Sequence, residues 1–188
     1  MWIKRGDMGF RGVTADHLVA VDLEGNRAYG DGPLHTELWL HLSIYATRPD
    51  VSAISHSHAT RLVAYSAVHP VWPVIDQYTL EMSIGMCWHD RSGLIVTRSL
   101  GESLARSLGT GRTCILRSHG VLVADSTIEA AVVGTVELGR SIDIQMAARM
   151  LGDVRPMPAE DADPMRERFL ARRENRVKNM WGTLTRPS

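Results

Sequence analysis

Residues 35–67 read HTELWLHLSIYATRPDVSAISHSHATRLVAYSA, with a His-x-His pair closing an apolar, β-leaning run. Side chains along a strand alternate between its faces, so His56 and His58, two residues apart, point the same way. Two imidazoles side by side at a strand end are either half of a metal site or an incidental pair, and the surrounding residues have to decide. On the N-terminal side, Leu38, Leu42, Ile44 and Tyr45 recur at helical spacing, with Thr36 placed to cap and Pro49 to stop. That pattern predicts a helix over 36–47. On the C-terminal side, ATRLVAYSAV predicts a short helix running into His69-Pro70.

Working outward, His17 to Gly32 alternates apolar and polar residues around Glu24-Gly25-Asn26, which predicts a hairpin with a tight turn. The apolar stretch from Val71 to Val96 predicts two short strands around a helix. GESLARSLG predicts a helix ended by Gly109. TCILRSHGVLVAD predicts a strand pair around Gly120, and Ser126 or Thr127 caps a long helix to about Leu151. MPAEDADP reads as a loop, and Met165 to about Trp181 as one basic amphipathic helix. No repeat or linker interrupts this order, so residues 1–188 are expected to form a single domain of α/β class.

Composition narrows the function. Lys plus Arg and Asp plus Glu are equal at 21 each, so bulk charge points to neither nucleic acid nor an acidic membrane. A pI near 7.1 suits a protein that hides surface in an oligomer. The two cysteines, Cys87 and Cys114, form no CxxC pair and suggest no disulfide framework. With no signal peptide and no apolar run of bilayer length, a soluble cytoplasmic protein is expected.

A catalytic zinc-type site needs three protein ligands and one open position. His56 and His58 supply two, and His119, ending the strand in LRSHGV, is the best third candidate because Gly120 permits a tight backbone approach there. Glu37 opens the first helix, where a carboxylate sits well against the N-terminal dipole. Each feature alone also has an ordinary reading: an incidental His-x-His, an uninformative His-Gly, a dipole-pairing Glu.

Together they resemble the class II aldolase/adducin family. Residues 35–67 carry its pattern of a small polar residue, Glu, a His four residues on, then IY, RPD and His-x-His, and Leu116–Glu137 carries its second half. The resemblance implies a three-layer α/β/α domain around a mainly antiparallel sheet. It implies that His56, His58 and His119 bind a divalent metal, zinc first with manganese or iron as alternatives, and that Glu37 is the acid/base. His41, one turn after Glu37, is expected to be structural.

The activity so implied is a metal-dependent carbon–carbon lyase, an aldolase or decarboxylase working through a metal-stabilised enolate on a small molecule. Relatives form homotetramers with active sites between subunits. Departures from the pattern sharpen the substrate. The family's N-terminal helix and Gly-Asn phosphate turn have no counterpart, Arg5-Gly6 stands where Ser-Gly is usual, and His35-Thr36 precedes Glu37. Tyr78 lies where some aldolases carry a proton donor, but DQYTLEMSIGMCW looks more like the decarboxylase branch. Arg5, Gly6, His35 and Thr36 are therefore expected to meet an unphosphorylated hydroxy-carboxylate or hydroxy-ketone. The alternatives are a sugar-phosphate aldolase, a non-heme iron oxygenase on the same fold, and a non-catalytic adducin-like module.

Overall fold

The computed structural model describes residues 1–68 and 72–186. The expected helix end at His69-Pro70 and the start of the apolar stretch at Val71 lie outside them. In chain order the elements are β1 (Trp2–Lys4), β2 (Leu18–Val21), β3 (Arg27–Tyr29), α1 (Leu38–Thr47), β4 (Ala53–Ser57), α2 (Thr60–Val68), α3 (Gln77–Met82), β5 (Cys87–His89), α4 (Arg98–Leu108), β6 (Thr113–Leu116), β7 (Gly120–Asp125), α5 (Ile128–Leu151), α6 (Ala159–Ala171) and α7 (Arg173–Leu184). The chain divides into two compact units: residues 1–49 with 93–109, and residues 50–92 with 110–188.

The first unit holds the antiparallel sheet β1-β2-β3. The hairpin falls where the sequence placed it, because Asp22 Oδ1 accepts the backbone N–H groups of Glu24 (3.0 Å) and Asn26 (2.8 Å) across the turn. Gly25 there has a φ of 89°, a left-handed value that glycine adopts without strain. The three-residue β1 is too short to leave a sequence signal. Val21, Leu38 and Leu42 form this unit's core with Met1, Ile3, Leu34 and Trp39 packed around them.

The cap of helix α1 falls one residue later than expected. Glu37, not Thr36, occupies the cap position, and its side chain makes no capping bond. Helix α4 presses on α1 so closely that a Cβ at Gly101 would lie 2.3 Å from both the Trp39 carbonyl oxygen and Ser43 Oγ. Gly101→Ala is therefore expected to lower stability by about 1–3 kcal/mol, as overpacking does, measurable as a lower urea midpoint.

The second unit is built on a four-stranded sheet of order β4-β7-β6-β5. β4–β7 and β6–β7 pair antiparallel, and β5–β6 pair parallel. The fold is thus α/β with a mainly antiparallel sheet, as the sequence led us to expect. Leu62, Tyr65, Met82, Ile115, Val121, Val123, Leu138 and Ile142 make its core. Thr127 caps α5, its hydroxyl accepting from the Ala130 N–H.

Three expectations fail in this unit. Among residues 72–96 the expected helix is present as α3, capped by Asp76 through the N–H groups of Tyr78 and Thr79, but only one strand, β5, flanks it: residues 72–76, where Pro73 has no N–H to offer a ladder, form none. MPAEDADP is not a loop but the start of α6: Pro158 precedes its first turn, and Glu160 and Asp161 lie within it. Proline and acidic residues at a helix start suit its free N–H groups and its dipole. The basic helix is not continuous, since the backbone breaks at Arg172 between α6 and α7.

Nor is α7 merely a charged face. Arg173 pairs with Glu81 and Asp125, Arg176 pairs with Glu81 and Glu137, and Arg112 reaches Glu81 at 2.8 Å and also pairs with Asp125. All three carboxylates are buried, and the three guanidiniums match them in charge. Burial lowers the Arg173 and Arg176 pKa values, yet arginine stays charged at any working pH. Removing Arg173 leaves two buried carboxylates with a partner fewer. Arg173→Ala should cost about 3 kcal/mol, the lower end for breaking a buried pair because Arg112 still reaches both, readable as a shifted denaturation midpoint.

Candidate metal centre

The register of β4 against β7 positions the histidines. His56 is paired with Leu122 and Ser57 with Val121, and the chain leaves the strand at His58. Across the sheet, β6 ends at Leu116, and a tight turn with Ser118 in the left-handed region (φ 53°) returns the chain into β7. In that turn the His119 N–H donates to the Leu116 carbonyl (3.0 Å) and the Ser118 N–H to the Ser66 carbonyl (3.2 Å). The three rings come together: centroids are 4.5 Å apart for His56–His58, 5.0 Å for His56–His119 and 4.7 Å for His58–His119. One ring nitrogen from each lies within 4.8 Å of the other two. His119 is buried, His56 half-buried and His58 exposed, so the cluster opens to solvent on one side.

The tautomer of His56 follows from its partner. Its Nδ1 lies 2.9 Å from the Val121 carbonyl oxygen, which can only accept, so Nδ1 carries the proton and Nε2 presents a lone pair. That Nε2 is 2.7 Å from Nε2 of His58. Without an ion the short contact requires a proton from His58. A divalent cation would displace that proton and use both lone pairs, as metal binding to imidazole does. A ring whose far nitrogen is tied to a carbonyl is the usual support of a metal-binding histidine. The donor set therefore fits a divalent ion of the zinc, manganese or iron type.

Gly120 makes the approach possible. A Cβ there would lie 2.4 Å from the Ser57 carbonyl oxygen and 3.1 Å from His58 Cδ2, and its φ of 152° is poorly suited to other residues. Gly120→Ala should push β4 from β7 beside His58 and weaken metal binding about 10-fold or more, by analogy with loss of an outer-shell support, as measured by metal titration.

The other expected site residues belong to the first unit. Glu37 is 2% exposed, and its Oε1 accepts the Ile95 N–H at 2.8 Å. His35 Nδ1 accepts the Glu37 N–H at 3.2 Å, so His35 braces the chain at Glu37. Thr36 is exposed. Gly6 donates its N–H to the Pro33 carbonyl at 2.8 Å, and a Cβ there would meet the Leu34 carbonyl oxygen at 2.6 Å, so its place is one of close backbone approach. Arg5 is engaged by carboxylates already: Asp7 at 2.7 Å and Asp31 at 3.7 Å. Tyr78 sits in α3 under the Arg140 guanidinium, 5.9 Å from the ring centroid. Sequence reasoning missed the supporting groups, the Val121 carbonyl and the Ile95 N–H. Backbone groups carry no residue signature.

The family model described as the class II aldolase and adducin N-terminal domain matches residues 1–146, and the chain belongs to that family. It is similar to a 3,4-dihydroxyphthalate decarboxylase of Arthrobacter keyseri, 27% identical over 79% of this chain and 65% of the relative. It is similar also to the L-fuculose phosphate aldolase of Escherichia coli K12, 27% identical over 64% of this chain and 55% of the relative. An aldolase II superfamily protein from Pseudomonas syringae superposes with a TM-score of 0.82 at 26% identity, covering 98% of this chain and 78% of that one. The chain spans about half to two thirds of the length of the curated relatives it matches first. Among the described residues, no helix is long and apolar enough to cross a membrane.

Proposed function

We propose that this protein is a divalent-metal-dependent carbon–carbon lyase, a decarboxylase or aldolase acting on a small unphosphorylated hydroxy-carboxylate or hydroxy-ketone. The observation that carries this reading is the cluster of three imidazoles around a shared opening, with the His56 tautomer set by the Val121 carbonyl. His56, His58 and His119 are the proposed ligands and zinc the proposed ion. Bound there, a divalent ion supplies a Lewis acid that draws charge from the carbon being cleaved. Neutral imidazoles suit that role, because they add no negative charge to offset the ion's own.

Glu37 is the proposed acid/base. Its carboxylate is buried and oriented by the Ile95 N–H, so it is held in one rotamer, and a general base has to be held close to its proton. His35 braces the same turn. Gly6, Thr36 and His35 are proposed to meet the substrate. Arg5 would do so only by exchanging Asp7 for a substrate carboxylate, which makes it the weakest member of the set. The decarboxylase relative, matched over more of this chain than the aldolase, favours a carboxylate-bearing substrate.

An adducin-like binding role is opposed by the complete histidine set, which a purely structural module has no use for. The family model runs across both compact units, which supports reading them as parts of one domain. We read the protein as a cytoplasmic homotetramer with active sites between subunits; light scattering at micromolar concentration should give four times the chain mass, and a monomer would remove that assignment.

The deciding experiment loads the protein with zinc, manganese or iron in turn. It then follows carbon dioxide and aldehyde release from a panel of hydroxy-carboxylates, hydroxy-ketones and their phosphorylated forms. Carbon dioxide or aldehyde from an unphosphorylated compound is the expected result. A preference for a sugar phosphate would return the protein to the ordinary aldolase branch, and oxygen uptake with iron alone would make it an oxygenase.

A further inference from the structure

The chain's two cysteines are 27 positions apart in sequence, and folding sets them directly opposite each other. Cys87 opens β5 and Cys114 lies in β6, and the parallel register of these strands makes the two residues Cα partners. Residues so paired share one face of the sheet, with strands about 4.8 Å apart. A disulfide needs a Cα separation of roughly 4.4–6.8 Å, so the spacing falls inside the permitted window without strand movement. Nothing in the lyase chemistry uses either thiol.

The two thiols are also unequal. Cys87 is partly exposed and Cys114 buried. A hydrogen bond to Cys87, together with burial, pushes the Cys114 thiol far up, so Cys114 is the partner that keeps its proton. Its sulfur also lies 3.8 Å from the Ile115 carbonyl oxygen. An accessible thiol beside a buried one sets the order of thiol–disulfide exchange: the exposed sulfur meets the small disulfide first, and the buried one resolves the mixed disulfide as it gives up its proton.

We propose that Cys87 and Cys114 form a reversible dithiol–disulfide site that reacts with low-molecular-weight disulfides. In the first step the Cys87 thiolate attacks one sulfur of the small disulfide, whose S–S bond breaks and releases one small thiol. In the second, the Cys114 sulfur displaces the second small thiol from Cys87 and forms the internal S–S bond, its proton passing to the departing thiolate. The protein loses two hydrogens and the small disulfide becomes two thiols, so the electrons balance.

The test incubates the full chain with mixtures of oxidised and reduced glutathione, quenches with acid, and alkylates under denaturing conditions before intact-mass measurement. The expected product is a monomeric species lighter by two hydrogens, with neither cysteine alkylated, and with both restored by dithiothreitol. Cys114→Ser should instead stop at a glutathione adduct on Cys87, and Cys87→Ser should give no adduct, since its remaining thiol is buried. Three results would overturn the proposal: a lasting glutathione adduct on wild-type Cys87 with Cys114 still alkylated, a disulfide between chains on a non-reducing gel, or no reaction under fully oxidised glutathione.

Discussion

Replacing His119 with alanine should empty the metal centre while leaving the chain folded. Loss of an outer-shell partner alone weakens metal binding about 10–100-fold, so loss of a ligand should weaken it by about 100-fold or more. The measurement is metal content after dialysis, with a thermal melt to show that the fold survives. Because His119 is buried, His58→Ala provides a second route: His58 is exposed, and its removal should empty the site without disturbing packing. His17→Ala is the control, since that ring serves a local turn, accepting the Thr14 N–H at 3.0 Å. Full metal content and activity in His119→Ala would mean that a different residue completes the site begun by His56 and His58.

The second large effect is assigned to Glu37. Glu37→Gln preserves size and one oxygen, so the bond from the Ile95 N–H survives, but the side chain can no longer take up a proton. With zinc content near normal, turnover should fall about 10²–10⁴-fold, the usual range for a general acid/base. Comparing metal content and rate in the same preparation separates this from a binding defect. If rate and metal fell together, Glu37 would be a ligand; if neither fell, the proton would be moved by another group. Substrate recognition has its own readout. His35→Ala should raise KM for a carboxylate substrate, with a loss of about 1–3 kcal/mol in binding if His35 donates to it. An unchanged KM would confine His35 to bracing the Glu37 turn.

The three histidines of the proposed site could be picked out from the sequence because their signals are local. His56 and His58 share a strand face through the two-residue period, and the Gly after His119 marks a tight turn. Those features depend on residues a few positions apart, and the structure gathers all three rings. The supports were not legible. The Val121 carbonyl that sets the His56 tautomer, and the Ile95 N–H that holds Glu37, are backbone groups available at almost every position; only the packing selects them.

The same division holds for the fold. The hairpin at Asp22–Asn26, the Thr127 cap of α5 and the Gly109 end of α4 were readable, since capping and turn chemistry act within four residues. Where one signal has two meanings, sequence alone misled. Proline and acidic residues over 157–164 spell a loop or a helix start, and the docking of α6 decided for the helix. Arginines at 173 and 176 spell a basic helix face, and only the tertiary structure brings them to Glu81, Asp125 and Glu137, partners 39 to 95 positions away. The pairing of Cys87 with Cys114 is of the same kind. Local order marked the three histidines and the turn beside Gly120; long-range packing decided which backbone groups hold them and which charges and thiols face each other, because those partners are neighbours only in the folded chain.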